Sequence, residues 1–262
     1  AFNVFLAVMR AYLQKKNLIY NKKFDLTTDN ENYKHKFHLV SPHSLAIKKV
    51  YQGSKVLDLG CAGGYVGDKL KKNKNAFVVG VDCFSLSKTI KLDEFYKYDL
   101  EKGIPKILKS DFDYILLLDV IEHLSEPENF LKQLKEHFKF NPETKILVST
   151  GNVLFFVNRV LYLLGYFNYT KKGILDITHK RLFTMGSFIK LFKTEGFEVL
   201  SIKPIPGPWS LLFGDNIFSS ILIKINELLC KFLPGVFAYQ FFLEVKQSPH
   251  LDYLLEITKK MK

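Results

Sequence analysis

After residue 50 the chain alternates between two hydrophobic patterns. Short, nearly continuous apolar runs are typical of strands that are buried on both faces of a sheet. Between these runs, apolar residues recur at helical spacing, as in "ENFLKQLKEHF" from Glu128. Such alternation predicts an α/β domain with a doubly wound, mostly parallel sheet and helices on both faces. The predicted strands are "SKVLDLG", "AFVVGVD", "FDYILLLDV" and "TKILVST".

Beyond Thr150 the pattern changes because two long apolar stretches are inserted. They lie near residues 151–183 and 204–235, and insertions of this kind usually cover a site. A predicted helix and strand, "MGSFIKLFKTEGFEVLSIK", separates them. After the second insertion, "VFAYQFFLEVK" is predicted as the last strand and "DYLLEITKKMK" as a basic terminal helix.

The N-terminal part has a different character. "AFNVFLAVMRAYLQKK" has helical apolar spacing with Arg10 inside it, which predicts an amphipathic helix rather than a signal peptide. We therefore divide the chain into an N-terminal helical or linker segment, residues 1–40, and one domain, residues 41–262. Because the first residue is Ala1 and not Met, we also expect the chain to be excised from a longer protein.

Composition adds an expectation about partners. The 262 residues include 38 Lys and Arg against 26 Asp and Glu, a formal charge of +12. This excess favours an anionic partner, although scattered lysines that keep an aromatic-rich protein soluble explain it equally well. The three cysteines have no metal-ligand spacing and indicate a reducing compartment. No apolar run reaches the ~20 residues that span a bilayer, so we expect a cytoplasmic protein, with peripheral contact to the inner face of an anionic membrane as a further expectation.

Three acids, Asp58, Asp82 and Asp119, lie at or near the carboxyl ends of predicted strands. A single acid there is explained equally well by capping of the next helix. Ligands of open α/β sheets bind beyond those strand ends, so three acids beside a glycine turn are expected to line one crevice.

The order of acid and glycines in "DLGCAGG" bears on the ligand. A dinucleotide-binding fold holds a pyrophosphate at its glycine turn, and a carboxylate just upstream would repel that anion. S-adenosylmethionine instead carries an ammonium and a sulfonium group, so Asp58 suits it, directly or through water. Gly60 and Gly64 let the backbone approach such a ligand closely, and Asp82 is placed to accept two ribose hydroxyls.

These residues carry a resemblance to a known family. "VLDLGCAGG", "VGVD", "YDLE" and "FDYILLLDVIEHLSEPENFL" resemble, in order and spacing, the successive motifs of class I S-adenosylmethionine-dependent methyltransferases, over Ser54 to Thr150. The resemblance implies a Rossmann-like, seven-stranded, mostly parallel sheet with helical insertions after the fifth and sixth strands. Ala62 departs from the family, which most often has glycine there.

The resemblance also implies roles for individual residues. The glycine turn would contact the methionine part of the cofactor, and Asp82 would bind the ribose. Asp99 would lie at the adenine, with a helix cap as its alternative role, and Asp119 would lie under the sulfonium and the incoming acceptor. The expected cofactor-binding set is Asp58, Gly60, Ala62, Gly64, Asp82, Cys83, Asp99, Leu100, Asp119 and Val120.

A narrower resemblance concerns the first insertion. "LLGYFNYTKKGILDITHKRLFT" resembles the insertion of methyltransferases that are encoded with, or fused to, glycosyltransferases of bacterial surface-polysaccharide synthesis. "FNVFLAVMRAYLQKK" and "DLTTDNENYKHKFHLV" resemble the linker before such domains. This resemblance implies O-methylation of a glycan or glycolipid precursor. The implied partners are a small-molecule or lipid-linked sugar acceptor and a glycosyltransferase in the same chain or complex.

Methyl transfer to a hydroxyl needs alignment and a base. Two histidines are candidates, His123 in "DVIEHL" and His179 in "DITHKR". Asp176 is expected to orient His179 and raise its basicity; the alternatives are a loop-orienting role for His123 and a cap or bridge for His179. Arg181 is expected to hold an acidic or phosphorylated acceptor, or to pair with Asp176. No cluster has metal-ligand spacing, so no metal is expected.

Two other functions stay open. The aromatic residues of the insertions suit a methyltransferase for a small hydrophobic acceptor, quinone-like or lipid, equally well. A non-catalytic cofactor-binding or docking domain is the second alternative, and the intact set of acid and glycines speaks against it. Nucleic acid is a disfavoured partner, because only the net charge suggests it.

Overall fold

The computed structural model describes residues 40–139, 141–249 and 258–259. Its centre is a seven-stranded sheet in the order β3-β2-β1-β4-β5-β7-β6. Only β7 runs against its neighbours β5 and β6, which confirms the predicted Rossmann-like, mostly parallel sheet. The strands are β1 (Lys55–Leu59), β2 (Phe77–Asp82), β3 (Glu94–Lys97), β4 (Tyr114–Leu118), β5 (Lys145–Gly151), β6 (Phe197–Ile205) and β7 (Gln240–Gln247).

Helices follow most strands, and several begin at a side-chain cap. Ser41 and Thr184 each form a capping box at the start of their helices, and Asn216 accepts a hydrogen bond from Ser219 N. Short 3₁₀ turns cover Leu100–Lys102 and Ile121–His123. The helices are α1 (Pro42–Lys49), α2 (Tyr65–Lys74), α3 (Pro127–His137), α4 (Phe156–Leu163), α5 (Met185–Thr194), α6 (Trp209–Phe213), α7 (Ile217–Phe232) and α8 (Pro234–Phe237).

The central strands have a core on each side because successive side chains point to opposite faces of the sheet. Leu57 and Ile115 belong to one hydrophobic core, whereas Val56 and Leu116 belong to the other. All four side chains are completely buried. The continuous apolar runs of β1 and β4 are therefore explained by burial on both faces.

The two insertions lie where they were expected, after β5 and after β6. The first contains α4, and the second contains α6, α7 and α8. One boundary was wrong: the last strand begins at Gln240 rather than at Val236, because Pro234–Phe237 forms α8. The predicted N-terminal helix lies outside the described residues, and so does the terminal helix except for residues 258–259, which are helical. None of the described helices is both long and apolar enough to cross a membrane.

Candidate functional site

The glycine loop between β1 and α2 is held in a conformation that favours glycine. Gly60 and Gly64 have φ angles of +77° and +80°. A Cβ atom at Gly60 would lie 2.4 Å from Cγ2 of Val120, so the missing side chain lets the loop pack against the end of β4. Ala62 also has a left-handed φ, 46°, and an alanine there costs about 1 kcal/mol relative to glycine.

Asp82, the last residue of β2, ties this loop to the sheet. One carboxylate oxygen accepts a hydrogen bond from Ala62 N (2.7 Å), and the other accepts one from Phe84 N (2.8 Å). Each oxygen keeps a further lone pair, so the carboxylate can also accept ligand hydroxyls. Cys83, the next residue, is exposed and is a free thiol.

Asp58 is a buried acid within β1, with only 3% of its surface exposed. Its Oδ2 atom has no hydrogen-bond partner among the described residues. Burial raises the pKa of Asp58 to about 7, and the nearby Asp82 carboxylate adds to the shift. A buried carboxylate oxygen without a donor is costly for the free protein, and it fits a ligand that brings a positive charge.

The site therefore fits S-adenosylmethionine, as the sequence predicted. Asp58 and the glycine loop would hold its methionine end, whose ammonium group matches the unpartnered carboxylate. Asp82 would accept the ribose hydroxyls with its free lone pairs. Asp99 accepts a hydrogen bond from Glu101 N (3.0 Å) and caps a 3₁₀ turn in which Leu100 is buried. The cap that was the alternative role for Asp99 is thus present, and contact of Asp99 and Leu100 with adenine stays a prediction.

Asp119, directly after β4, is held by two side chains that the sequence analysis missed. Ser149 donates to Oδ1 of Asp119 at 2.6 Å, and Gln240 Nε2 lies 3.0 and 3.1 Å from its two carboxylate oxygens. Asp119 itself has a φ of 56°, a strained backbone conformation that is frequent at functional sites. The sequence gives only a weak indication that Ser149 and Gln240 belong to the site. Ser149 is a polar residue near the carboxyl end of β5, and Gln240 is an amide that begins an apolar strand.

The structure brings the two candidate histidines together. The ring centroids of His123 and His179 lie 4.7 Å apart, in an edge-to-face arrangement. His179 Nδ1 lies 2.9 Å from the carbonyl oxygen of Ile174. Because a carbonyl only accepts, Nδ1 carries the proton and Nε2 keeps a lone pair.

The expectation that Asp176 orients His179 was wrong, although its charge does raise the basicity of the ring. Its carboxylate accepts hydrogen bonds from N and Oγ1 of Thr178, at 2.9 and 2.8 Å, and the carbonyl of Ile174 orients His179 instead. The pKa of His179 is lowered, chiefly by burial; the Ile174 hydrogen bond and the Asp176 and Asp119 charges only partly offset this. A neutral imidazole at neutral pH is the consequence.

Glu122 joins the first insertion to the end of β4. Its backbone oxygen accepts hydrogen bonds from Lys180 N (2.8 Å) and Arg181 N (3.0 Å), next to His179. Its carboxyl group is buried, and burial together with the Asp119 charge holds the pKa of Glu122 well above its usual value. The same segment places His123 Nδ1 3.2 Å from Oγ1 of Thr178.

Arg181 is exposed and forms an ion pair with Glu128, whose two oxygens lie 2.9 and 3.1 Å from Nη2. The expected pairing with Asp176 was therefore wrong. The other expectation, that Arg181 holds an anionic acceptor, stays a prediction and would require this exposed pair to open.

An aromatic cluster built from both insertions adjoins the histidines. Phe155 and Phe156 come from the first insertion, and their rings lie 6.2 and 5.9 Å from that of Trp209 in the second. Ile174, whose carbonyl binds His179, and Tyr239, which precedes Gln240, belong to the same cluster. We call these residues the aromatic roof; it joins the imidazole pair to the strand that holds Asp119.

Comparison with known proteins supports a common origin for the domain. A family model described as "Methyltransferase domain" matches residues 30–202. The mitochondrial ubiquinone biosynthesis O-methyltransferase of Schizosaccharomyces pombe is 29% identical over 112 residues, which cover 39% of this chain and 40% of that protein. The ubiquinone biosynthesis O-methyltransferase of Pelagibacter ubique is 31% identical over 101 residues, 36% of this chain and 41% of that protein. The chain thus spans less than half the length of these curated relatives.

A solved structure shows the same fold. The S-adenosylmethionine-dependent methyltransferase from Aquifex aeolicus superposes with a TM-score of 0.50 at 15% identity, over 81% of this chain and 92% of that one. The family match covers more than half of the chain and includes the glycine loop, Asp82 and Asp119. The chain therefore belongs to this methyltransferase-domain family, and its methyl donor is S-adenosylmethionine.

Proposed function

We propose that the chain is an O-methyltransferase whose acceptor is a small hydrophobic molecule with a hydroxyl group, of the quinone-like class. The observation that carries the proposal is the state of His179. Its Nδ1–H donates to the carbonyl of Ile174, burial lowers its pKa, and Nε2 is left as a neutral proton acceptor. This is the form of imidazole that a general base needs at neutral pH.

S-adenosylmethionine supplies a methyl group that its positive sulfur already activates. The residues of this chain align the acceptor and take up the hydroxyl proton. His179 Nε2 accepts that proton, and the Asp119 charge, which raises the pKa of His179, stabilises the imidazolium that results. Ser149 and Gln240 hold Asp119 in place for this role. His123, in edge-to-face contact with His179, limits the positions that the ring of His179 can take.

The surroundings of this base favour an apolar acceptor. Ile174 and Leu175, on the segment that orients His179, are buried in the aromatic roof with Phe155. An apolar wall excludes water from the proton transfer. Its side chains lose no hydrogen bonds when an apolar ring covers them. A sugar, with hydroxyls around its whole edge, would leave several of them without partners against such a wall.

The relatives favour the same class over the glycan acceptor that the narrower resemblance suggested. Those reported above are ubiquinone biosynthesis O-methyltransferases. The matched part is less than half of each of them, so the acceptor of this chain is proposed by analogy with them. A purely structural or docking domain would have no use for the buried carboxylate of Asp58, whose Oδ2 atom has no hydrogen-bond partner among the described residues.

The test is methyl transfer from labelled S-adenosylmethionine to a cell-envelope extract, followed by partition of the product. Label that enters an organic phase and migrates with a small aromatic quinone-like species supports the proposal. Label in polysaccharide or in a lipid-linked sugar would return the acceptor to the glycan class. His43→Ala, which changes a histidine on α1, is the matched control for His179→Ala. Only His179→Ala should abolish labelling.

A further inference from the structure

Helix α7 carries a row of large apolar side chains on the side that is turned away from the protein. The residues that it buries against the rest of the chain are Ser219, Asn226 and Cys230. Its exposed residues include large apolar side chains, with exposed fractions from 49% at Ile221 to 81% at Ile217. A surface helix of a globular protein normally turns charged or polar side chains outward instead. We call the following six residues the outward face of α7: Ile217, Phe218, Ile221, Ile225, Leu228 and Phe232.

Specific hydrogen bonds hold the helix in this orientation. Asn226 Oδ1 accepts from Gly207 N (2.6 Å) and from Trp209 Nε1 (3.1 Å), while its Nδ2 donates to the carbonyl of Phe237 (2.8 Å). Ser219 Oγ donates to the carbonyl of Gly214 at 2.6 Å. Rotating the helix to bury its apolar side would break these bonds and leave a buried amide unsatisfied. The exposure of the apolar side is therefore built into the fold.

The charges beside this face have one sign. At about 100° per residue, the outward face covers an arc of roughly 100°, and Lys224 and Lys231 lie on one flank of it. Both lysines are exposed. The acid of this helix, Glu227, lies further around the helix from the outward face than the two lysines do, and it is only half-exposed. No carboxylate of α7 therefore lies on the outward face. Asp215 precedes the helix at its N-terminal end.

We propose that the outward face of α7 docks the protein on the surface of an anionic lipid bilayer. A helix that lies in a membrane interface presents large apolar side chains to the acyl chains and lysines to the anionic headgroups, which is the pattern found here. The proposal goes beyond the proposed function, since it concerns a surface apart from the histidines and holds for any acceptor.

Charge also argues against a second copy as the occupant. A two-fold pairing brings the same surface of both copies together. Lys224 lies near the middle of α7, so an antiparallel two-fold pairing of the helices would bring the two copies of Lys224 close together, and like charges across an interface oppose association. Anionic lipid headgroups instead complement both lysines.

The face is connected to the aromatic roof by neighbouring aromatic rings. Trp209, a member of the roof, stacks on Phe213, and the ring of Phe213 lies 5.4 Å from that of Phe218 on the outward face. Phe213 is itself 45% exposed. An apolar acceptor in the bilayer would thus find a continuous run of aromatic rings from the docking surface to the roof.

Vesicle flotation of the full chain tests the charge part of the proposal. The protein should float with vesicles of phosphatidylcholine and phosphatidylglycerol at low salt, and rising salt should weaken the binding. Lys224→Gln combined with Lys231→Gln should reduce the partition coefficient about 30-fold, since each lysine near an anionic surface contributes about fivefold. The matched control, Lys190→Gln combined with Lys193→Gln on α5, should bind as the unchanged chain does.

A second pair of variants tests the apolar part. Leu228→Glu should weaken flotation at least about tenfold, whereas Ile107→Glu, at a residue that is 69% exposed on another part of the surface, should have no effect. All variants should keep their affinity for S-adenosylhomocysteine, which shows that they are folded. This readout also separates the proposal from the acceptor assigned above, because it requires no turnover.

Three results would overturn the proposal. One is failure to float with anionic vesicles at low salt, which would leave the face to be covered by a second copy or by residues 1–39. Another is equal binding to pure phosphatidylcholine without salt dependence. The third is a dimer in light scattering that Leu228→Glu dissociates and that vesicles do not compete with, which would make the face a self-association surface.

Discussion

The raised pKa of Asp58 predicts that cofactor affinity depends on pH in a particular direction. Its free carboxyl group has a pKa of about 7, raised first by burial and then by Asp82. The ammonium group of the cofactor favours the ionised form of Asp58, so binding below this pKa must release a proton. Affinity should therefore rise as the pH increases from 6 to 8, and Asp58→Asn should remove this dependence.

The magnitude follows from the ionised fraction. With a pKa of about 7, roughly one tenth of the carboxyl groups are ionised at pH 6 and roughly nine tenths at pH 8, which predicts an affinity about tenfold higher at pH 8. At pH 8, Asp58→Asn should lose about 10- to 100-fold in affinity, the effect of one hydrogen bond to a charged group. At pH 6 the gap between the two proteins should narrow.

Calorimetry with S-adenosylhomocysteine measures both proteins across this range. The amino group of the ligand also titrates, near 7.7–8.0 in free amino termini. Its effect cancels in the ratio of the two dissociation constants at each pH. A ratio that stays constant between pH 6 and 8 would refute the reasoning, and so would an unchanged affinity in the variant. Proton release, seen as a dependence of the binding heat on the buffer, is a second and independent readout.

The same shift predicts a stability change of opposite sign. Because the folded pKa of Asp58 lies above the ordinary value of 3.8, the folded state binds the proton more tightly than the unfolded state does. Its contribution to stability is greatest below pH 3.8 and is lost as the pH rises towards about 7. Without cofactor at pH 8, the unfolding free energy of Asp58→Asn should thus exceed that of the unchanged chain by up to about 4 kcal/mol. The variant should therefore melt at a higher temperature. At pH 5 the difference should be smaller.

Three further predictions concern the rest of the site. Asp82→Ala should weaken binding of S-adenosylmethionine strongly, because hydrogen bonds to the ribose of about 1.5–3 kcal/mol each are lost and Ala62 N loses its acceptor. An affinity equal to that of the unchanged chain in calorimetry would contradict this. His179→Ala should leave cofactor affinity unchanged while the single-turnover rate falls by roughly 10²–10⁴-fold, because His179 is the proposed base; a near-normal rate in His179→Ala with a fall in His123→Ala would make His123 the base instead, and near-normal rates in both would leave catalysis to alignment alone. Gln240→Leu should lower kcat rather than cofactor affinity, because the Asp119 carboxylate loses the amide that holds it. Gln240→Glu should lower kcat further, because it places a second negative charge beside Asp119. A change in melting temperature alone would show that Gln240 has only a structural role.

Most of the fold could be predicted because burial on two faces leaves a strong pattern. Strands such as β1 and β4 bury nearly all their residues, most of them apolar, and the acids and glycines lie at or near their carboxyl ends. The third strand, Glu94–Lys97, was not recognised from its residues, because this edge strand is short and only half-buried. The start of β7 was misjudged for a related reason. The apolar residues before it belong to α8, a single helical turn whose composition matches that of a strand.

Residues of the site could be predicted only where the residue type and its position in a motif indicate the role. Asp58, Asp82 and the glycines follow from motif and spacing, and the structure places the two acids, on β1 and β2, beside the glycine loop. The partners of His179 did not follow, because a backbone carbonyl such as that of Ile174 has no signature in the sequence. The hold of Gln240 on Asp119 joins residues 121 positions apart, and single-sequence periodicity cannot detect such a pair.

Two acids of the site, Asp58 and Glu122, are buried at a cost in free energy to the protein without ligand. Asp58 and Glu122 each contain a buried side-chain oxygen that has no hydrogen-bond partner among the described residues, and burial raises the pKa of both. Hydrophobic residues of similar volume would pack these positions more stably. Stability alone therefore does not explain them, whereas a cationic ligand next to Asp58 does. The Asp119 charge raises the pKa of Glu122, and Glu122 carries the backbone oxygen that anchors the segment of His179, so the protonation of Glu122 depends on the charge of Asp119. Replacing Glu122 with Gln would keep the anchor, remove the titration, and show in a pH–rate profile whether that charge matters for turnover.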